Sequence, residues 1–186
     1  MEDYEKGFAY LGFKIKLQLV NNPLGVDFLK GAFYRTVSGR MVWSHLPSRL
    51  LKAGKSVKDV RLTQRRPGER NISLYTACER QVASVANSYK VFPQVPILQK
   101  FVSKFQNDDP FCKMHWEAWR IQGSSDGVQL DAGYAYELIA YRYGVTVHDI
   151  LELEQMVEQW ELFSQIWHPL FDRFALVDYG PVPPGR

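Results

Sequence analysis

From Phe13 to Leu19 the apolar residues Phe13, Ile15, Leu17 and Leu19 alternate with Lys14, Lys16 and Gln18. A period of two predicts a half-buried strand. Residues 3–10 read as the end of a helix closed by Gly12, just before that strand. Asn21-Asn22-Pro23-Leu24-Gly25 is turn chemistry, and a second strand is expected from Val26 to Leu29. Gly31 stands inside a β-like run to Val37, Ser38-Gly39 signals a tight turn, and Arg40 to Ser44 form the returning strand of a small antiparallel hairpin. A glycine inside a strand marks a bulge or a close approach of another backbone.

From Pro47 the spacing becomes helical, with Ser48, Leu50, Leu51 and Ala53 preceding the breaker Gly54. Residues 59–70 are polar, basic and carry Pro67-Gly68, which predicts a connector. A longer helix is expected from about Asn71 to Tyr89, capped by Asn71 or Ser73, and another between Pro96 and Phe105. Breakers at 107–110 and 123–127 bound a short helical segment over 110–121 that holds Trp116 and Trp119. Residues 131–142 are helical again, Gly144 fits a C-cap, and Thr146 with Asp149 fits an N-cap opening a helix over 147–160. Strands first and helices afterwards give an α+β fold: a small antiparallel β-hairpin unit followed by a mainly α-helical bulk.

A chain of 186 residues, 46% apolar and 14% aromatic, has the means to bury a core. Its two cysteines, Cys78 and Cys112, form no disulfide framework and suggest a reducing compartment. No apolar run approaches the length of a membrane span, and the opening Met-Glu-Asp-Tyr-Glu-Lys is too polar for a secretory signal, so a soluble, intracellular chain is expected.

Charge changes the picture more than composition does. Residues 1–106 hold 18 Lys/Arg against 7 Asp/Glu, whereas residues 107–186 hold 5 against 13. The two halves therefore read as facing different partners. Residues 40–70 alone carry nine Lys/Arg, a density that fits either a footprint for phosphate backbones or a solvated charged face.

Val26-Asp27-Phe28-Leu29-Lys30-Gly31-Ala32-Phe33-Tyr34-Arg35 resembles motif E of positive-strand RNA virus polymerases, in which Phe-Leu-Lys and a nearby aromatic form the primer-grip hairpin. Tyr10-Leu11-Gly12-Phe13-Lys14-Ile15-Lys16-Leu17 is similar to motif D, at the expected distance upstream. Leu46-Pro47-Ser48-Arg49, Lys52-Ala53-Gly54-Lys55-Ser56 and the helices to Phe105 resemble the thumb of picornavirus-like or permutotetravirus-like polymerases. The resemblance covers about residues 4–106; the acidic end is matched only loosely.

It implies an end of palm over 1–45, a basic helical thumb over 46–106, an acidic helical part over 107–180 and a tail over 181–186. It also implies a template-product RNA duplex as ligand, upstream fingers and palm as partners, and the host cytoplasm as location. The aspartates of motifs A and C are not in this chain, so Mg²⁺ and nucleoside triphosphates belong to the intact polymerase and none is expected to bind here. By that resemblance Lys16 or Lys14 is the proton donor to the leaving pyrophosphate, the alternative being a solvated strand face. Lys30, Arg35, Arg40, Arg49, Lys52 and Lys55 are the implied RNA contacts.

Cys112-Lys113-Met114-His115 has a zinc-like spacing without a second pair of ligands. Trp116, Trp119, Trp160, Phe163, Trp167 and Phe171 either stack on bases or pack helices, and the acidic surroundings favour packing. A different class of function fits the same residues: a free-standing RNA-binding or adaptor protein whose basic half holds RNA while its acidic half holds a partner.

Overall fold

The computed structural model describes residues 6–7, 9–12, 21–53, 59–109, 112 and 128–180. The strand expected over 13–19, the helical segment over 110–121, Lys14, Lys16, Lys55, His115, Trp116, Trp119 and the tail from 181 lie outside the described residues.

The chain is α+β. Strands β1 (Asp27–Phe28), β2 (Gly31–Arg35) and β3 (Met41–His45) form an antiparallel sheet in the order β1-β2-β3. Phe28 pairs with Gly31, which leaves only Leu29 and Lys30 to make the turn, both with positive φ (54° and 61°). Two left-handed residues in a two-residue loop match the right-handed twist of a hairpin, at a cost of about 1–2 kcal/mol for each side chain that is not glycine. The strand expected to reach Leu29 therefore stops at Phe28, and Leu29 and Lys30 make the turn. Gly31 answers to a side chain instead of a backbone: a Cβ there would lie 2.3 Å from the Trp43 indole, whose Nε1 donates to the Phe28 carbonyl (2.9 Å).

After the sheet, Pro47 opens a 3-10 helix, Pro47–Lys52, where its fixed φ suits the first turn and its missing N–H costs nothing. The connector contains one short helix, α1 (Val60–Thr63). Helix α2 (Leu74–Lys90) is capped by the Ser73 hydroxyl, which accepts from the Thr76 N–H, and buries Ala77, Val82, Ala83 and Ala86 at helical spacing. Helix α3 (Leu98–Phe105) buries Leu98, Phe101 and Val102. Helix α4 (Ala132–Tyr143) begins at the Asp131 cap and ends at Gly144 in the left-handed conformation. Helix α5 (Val147–Gln159) starts with the full Thr146/Asp149 capping box and buries Ile150, Leu153, Glu154 and Val157 on one stripe. Helix α6 (Pro169–Phe174) runs straight into a π-helical stretch, Ala175–Tyr179.

One core holds these elements together. Tyr34 and Leu46 from the hairpin end, Phe101 from α3, Ile139 from α4, Ile150 from α5 and Phe174 from α6 are buried in a single cluster. The hairpin, the basic helices and the acidic helices thus share it. Charge follows the packing: Arg35 pairs with Asp131 (2.7 Å), Arg66 with Asp109, Lys90 with Asp108 (3.4 Å), Lys100 with Glu158 (3.3 Å) and Arg142 with Asp27 (2.5 Å). The first four pairs set a cation of the basic half against an acid of the acidic half and offset part of the sequence asymmetry, while Arg142 with Asp27 runs the other way. Among the described residues no helix is long and apolar enough to cross a membrane.

Candidate nucleic-acid interface

Three of the predicted RNA-binding residues converge. Lys30 leaves the β1–β2 turn, while Arg49 and Lys52 leave the 3-10 helix, where residues three apart eclipse and so point the same way. Arg49 reaches back to the turn, its Nη2 lying 3.4 Å from the Leu29 carbonyl. Lys30 and Lys52 flank one aromatic ring, with their ammonium groups 5.1 and 4.6 Å from the centroid of Tyr179. The Lys30 ammonium also donates to the Asp178 carbonyl.

Beside this cationic cluster lies an aromatic group centred on His45. The His45 ring meets Phe92 at 4.3 Å, Trp43 at 4.9 Å and Tyr89 at 5.3 Å, all edge-on. Burial, with the Arg49 charge adding to it, pushes His45 down to about 4, so the imidazole is neutral at physiological pH. Burial also raises Tyr89 despite the opposing Arg49 charge. Among the described residues, His45 Nδ1, Arg49 Nε and the Tyr179 hydroxyl are buried without a hydrogen-bond partner.

The segment that carries Tyr179 is anchored through Asp178. Its side chain is fully buried and accepts from Arg142 (2.6 Å) and from the Tyr143 hydroxyl (2.7 Å). Burial works against the Arg142 charge, but the bond and the charge of Asp178 outweigh it and hold the guanidinium above its ordinary value. Burial and Asp178 likewise raise Tyr143.

Two other predicted RNA-binding residues, Arg35 and Arg40, are placed elsewhere. Arg35 lies at the far end of β2, about 16 Å along the strand from Lys30 at ~3.3 Å per residue. Its guanidinium grips Asp131 through Nε and Nη2 and lies 5.1 Å from the centroid of the Tyr134 ring, so it ties the start of α4 to the sheet. Arg40 is exposed on the β2–β3 turn, where its backbone N–H is held by the Thr36 hydroxyl (3.0 Å). Asp109 of the Asp108-Asp109 pair is engaged by Arg66 and Asp108 stands exposed beside Lys90, a donor set that does not converge on a metal. No cluster of three His, Cys, Asp or Glu side chains suited to a metal occurs among the described residues.

Of the aromatic stripe, Trp160 packs against Phe105 and Phe101, and Phe171 against Phe174, whereas Phe163 and Trp167 are exposed. The sheet end also exposes Phe28, Leu29, Phe33 and Met41, and upstream Tyr10 and Leu11 are exposed too. Sequence reasoning missed Tyr179, Asp178 and Arg142. No local pattern marks them, since Asp178 meets Lys30 across 148 residues. No protein-family model, curated protein or solved structure matches this chain.

Proposed function

We propose that this chain is the C-terminal portion of a viral RNA-directed RNA polymerase, which binds the template-product RNA during genome replication and does not polymerise alone. The observation that carries this reading is the convergence of Lys30, Arg49 and Lys52 from the turn and the 3-10 helix on one patch around Leu29 and Tyr179. Cations so arranged take successive phosphates without reading sequence, as a copying enzyme requires. The exposed Phe28, Leu29, Phe33, Met41, Tyr10 and Leu11 support it as well, as the surface on which upstream palm and fingers pack. The metal-binding aspartates, Mg²⁺ and nucleotide come from those upstream parts. Lys16 or Lys14 supplies the leaving-group proton in the assembled enzyme.

The adaptor reading gains less support, because Asp108, Asp109, Asp131 and Glu158 are already paired with the basic half. Fluorescence anisotropy with a labelled primer-template RNA over a salt series tests the grip. Lys30→Ala with Lys52→Ala is expected to reduce the slope of log K against log salt by about 2, near 0.9 for each phosphate no longer neutralised. An unchanged slope sinks the assignment of these lysines. Nucleotide incorporation by this chain alone, with primer, template and Mg²⁺, would overturn the claim that it is an incomplete enzyme.

A further inference from the structure

The geometry points to the end of the π-helical stretch, the Asp178–Tyr179 peptide with the Tyr179 ring, as an intramolecular strap that occupies the phosphate path beside Lys30 and Lys52 and is displaced when RNA is gripped. This rests on the RNA-grip reading above. The Lys30 ammonium already donates to the Asp178 carbonyl, and the Tyr179 ring stands between Lys30 and Lys52. The π-helical stretch packs against the same 3-10 helix that supplies Arg49 and Lys52. Two of the three converging cations are thus turned towards the protein's own C-terminal segment.

The closed arrangement is built to yield. Both lysines face neutral partners there, a carbonyl and a π face, because the Asp178 carboxylate is directed to Arg142 and Tyr143. A phosphate oxygen offers a charge-assisted bond, roughly twice as strong as a neutral one. In the closed position the Tyr179 hydroxyl and Arg49 Nε are buried without partners among the described residues, and opening gives both access to water or phosphate. The stretch leading into the strap stands open, since Leu176 is 64% and Val177 44% exposed. The Asp178 carboxylate stays fixed on Arg142 and Tyr143, and the peptide that joins Asp178 to Tyr179 turns about it, carrying the Asp178 carbonyl and the Tyr179 ring off the lysines together. A π-helical geometry is uncommon and recurs where helices serve a function.

The test compares the full chain with Tyr179→Ala for binding of a labelled primer-template RNA duplex at fixed low salt, with backbone amide exchange of residues 176–180 followed in the wild type. A strap predicts that Tyr179→Ala binds about tenfold tighter, the size of one cation–π competitor removed. It also predicts that RNA accelerates exchange at Tyr179 and Gly180. Equal or weaker binding by Tyr179→Ala, or slower exchange on adding RNA, overturns the strap; weaker binding makes Tyr179 a stacking surface and leaves the RNA grip standing. Absence of salt-dependent RNA binding by both folded proteins overturns the grip itself. Should Tyr179→Ala fail to fold, the exchange measurement on the wild type decides.

Discussion

The cationic patch and the packing of α3 against α5 treat their buried polar groups in opposite ways. Between α3 and α5, Glu154 is buried and both its carboxylate oxygens are used, one by the Ile97 N–H (2.9 Å) and one by the Tyr136 hydroxyl (2.7 Å). Ile97 has a positive φ of 70°, a strained conformation for a β-branched residue, and the carboxylate holds it while capping the start of α3. At the patch, Leu29 and Lys30 are strained in the same sense, yet His45 Nδ1, Arg49 Nε and the Tyr179 hydroxyl find no partner among the described residues. Strain backed by satisfied bonds builds a rigid scaffold. Strain beside unsatisfied donors leaves a region whose own bonds are incomplete.

The largest expected effect lies on the scaffold side. Phe101 is fully buried and packs against Phe105 and Trp160, so Phe101→Ala should lower unfolding stability by about 4 kcal/mol in a denaturant titration. Next comes Glu154→Ala, which strands the Ile97 N–H and the Tyr136 hydroxyl and should cost about 3 kcal/mol, with Glu154→Gln costing part of that. A cost below about 1 kcal/mol would erase the contrast between the two regions.

On the patch side the sensitivity is to pH. His45 has its proton affinity lowered from 6.5 to about 4, so the unfolded chain binds a proton in that window that the folded chain refuses. Stability from a neutral His45 is therefore complete above about 6.5 and lost as pH falls towards 4, an effect of about 3 kcal/mol. His45→Gln should flatten that part of the stability profile, measured by denaturant unfolding at several pH values. Glu69 titrates in a lower window: the bond from Arg80 pulls it down from 4.5 to about 2, so the stabilisation from its ion pair is complete above about 4.5 and fades as pH falls towards 2.

The smallest effect has the opposite sign. Leu29 is exposed and left-handed, so Leu29→Gly should raise stability by about 1 kcal/mol, read as a higher melting temperature, while leaving RNA affinity unchanged. A destabilised Leu29→Gly protein would mean that the turn is held by its side chain after all.

The order of strands and helices, the Ser73 and Thr146 caps, the Gly144 terminus and the approximate spans of α2 to α5 were legible from the sequence. Each depends on residues within a few positions of one another. The sequence also singled out Lys30 through the motif it resembles and Arg49 and Lys52 through basic density and the thumb resemblance, but not that the three side chains come together. Tertiary structure alone decided that Lys30 turns a corner, because strand register depends on the partner strand. It alone sent Arg35 to Asp131 and paired the basic half with the acidic half, which a charge tally cannot foresee. It also brought Tyr179 between two lysines far upstream, since neighbours across such separations are set by how a shared core closes and leave no periodicity in the chain.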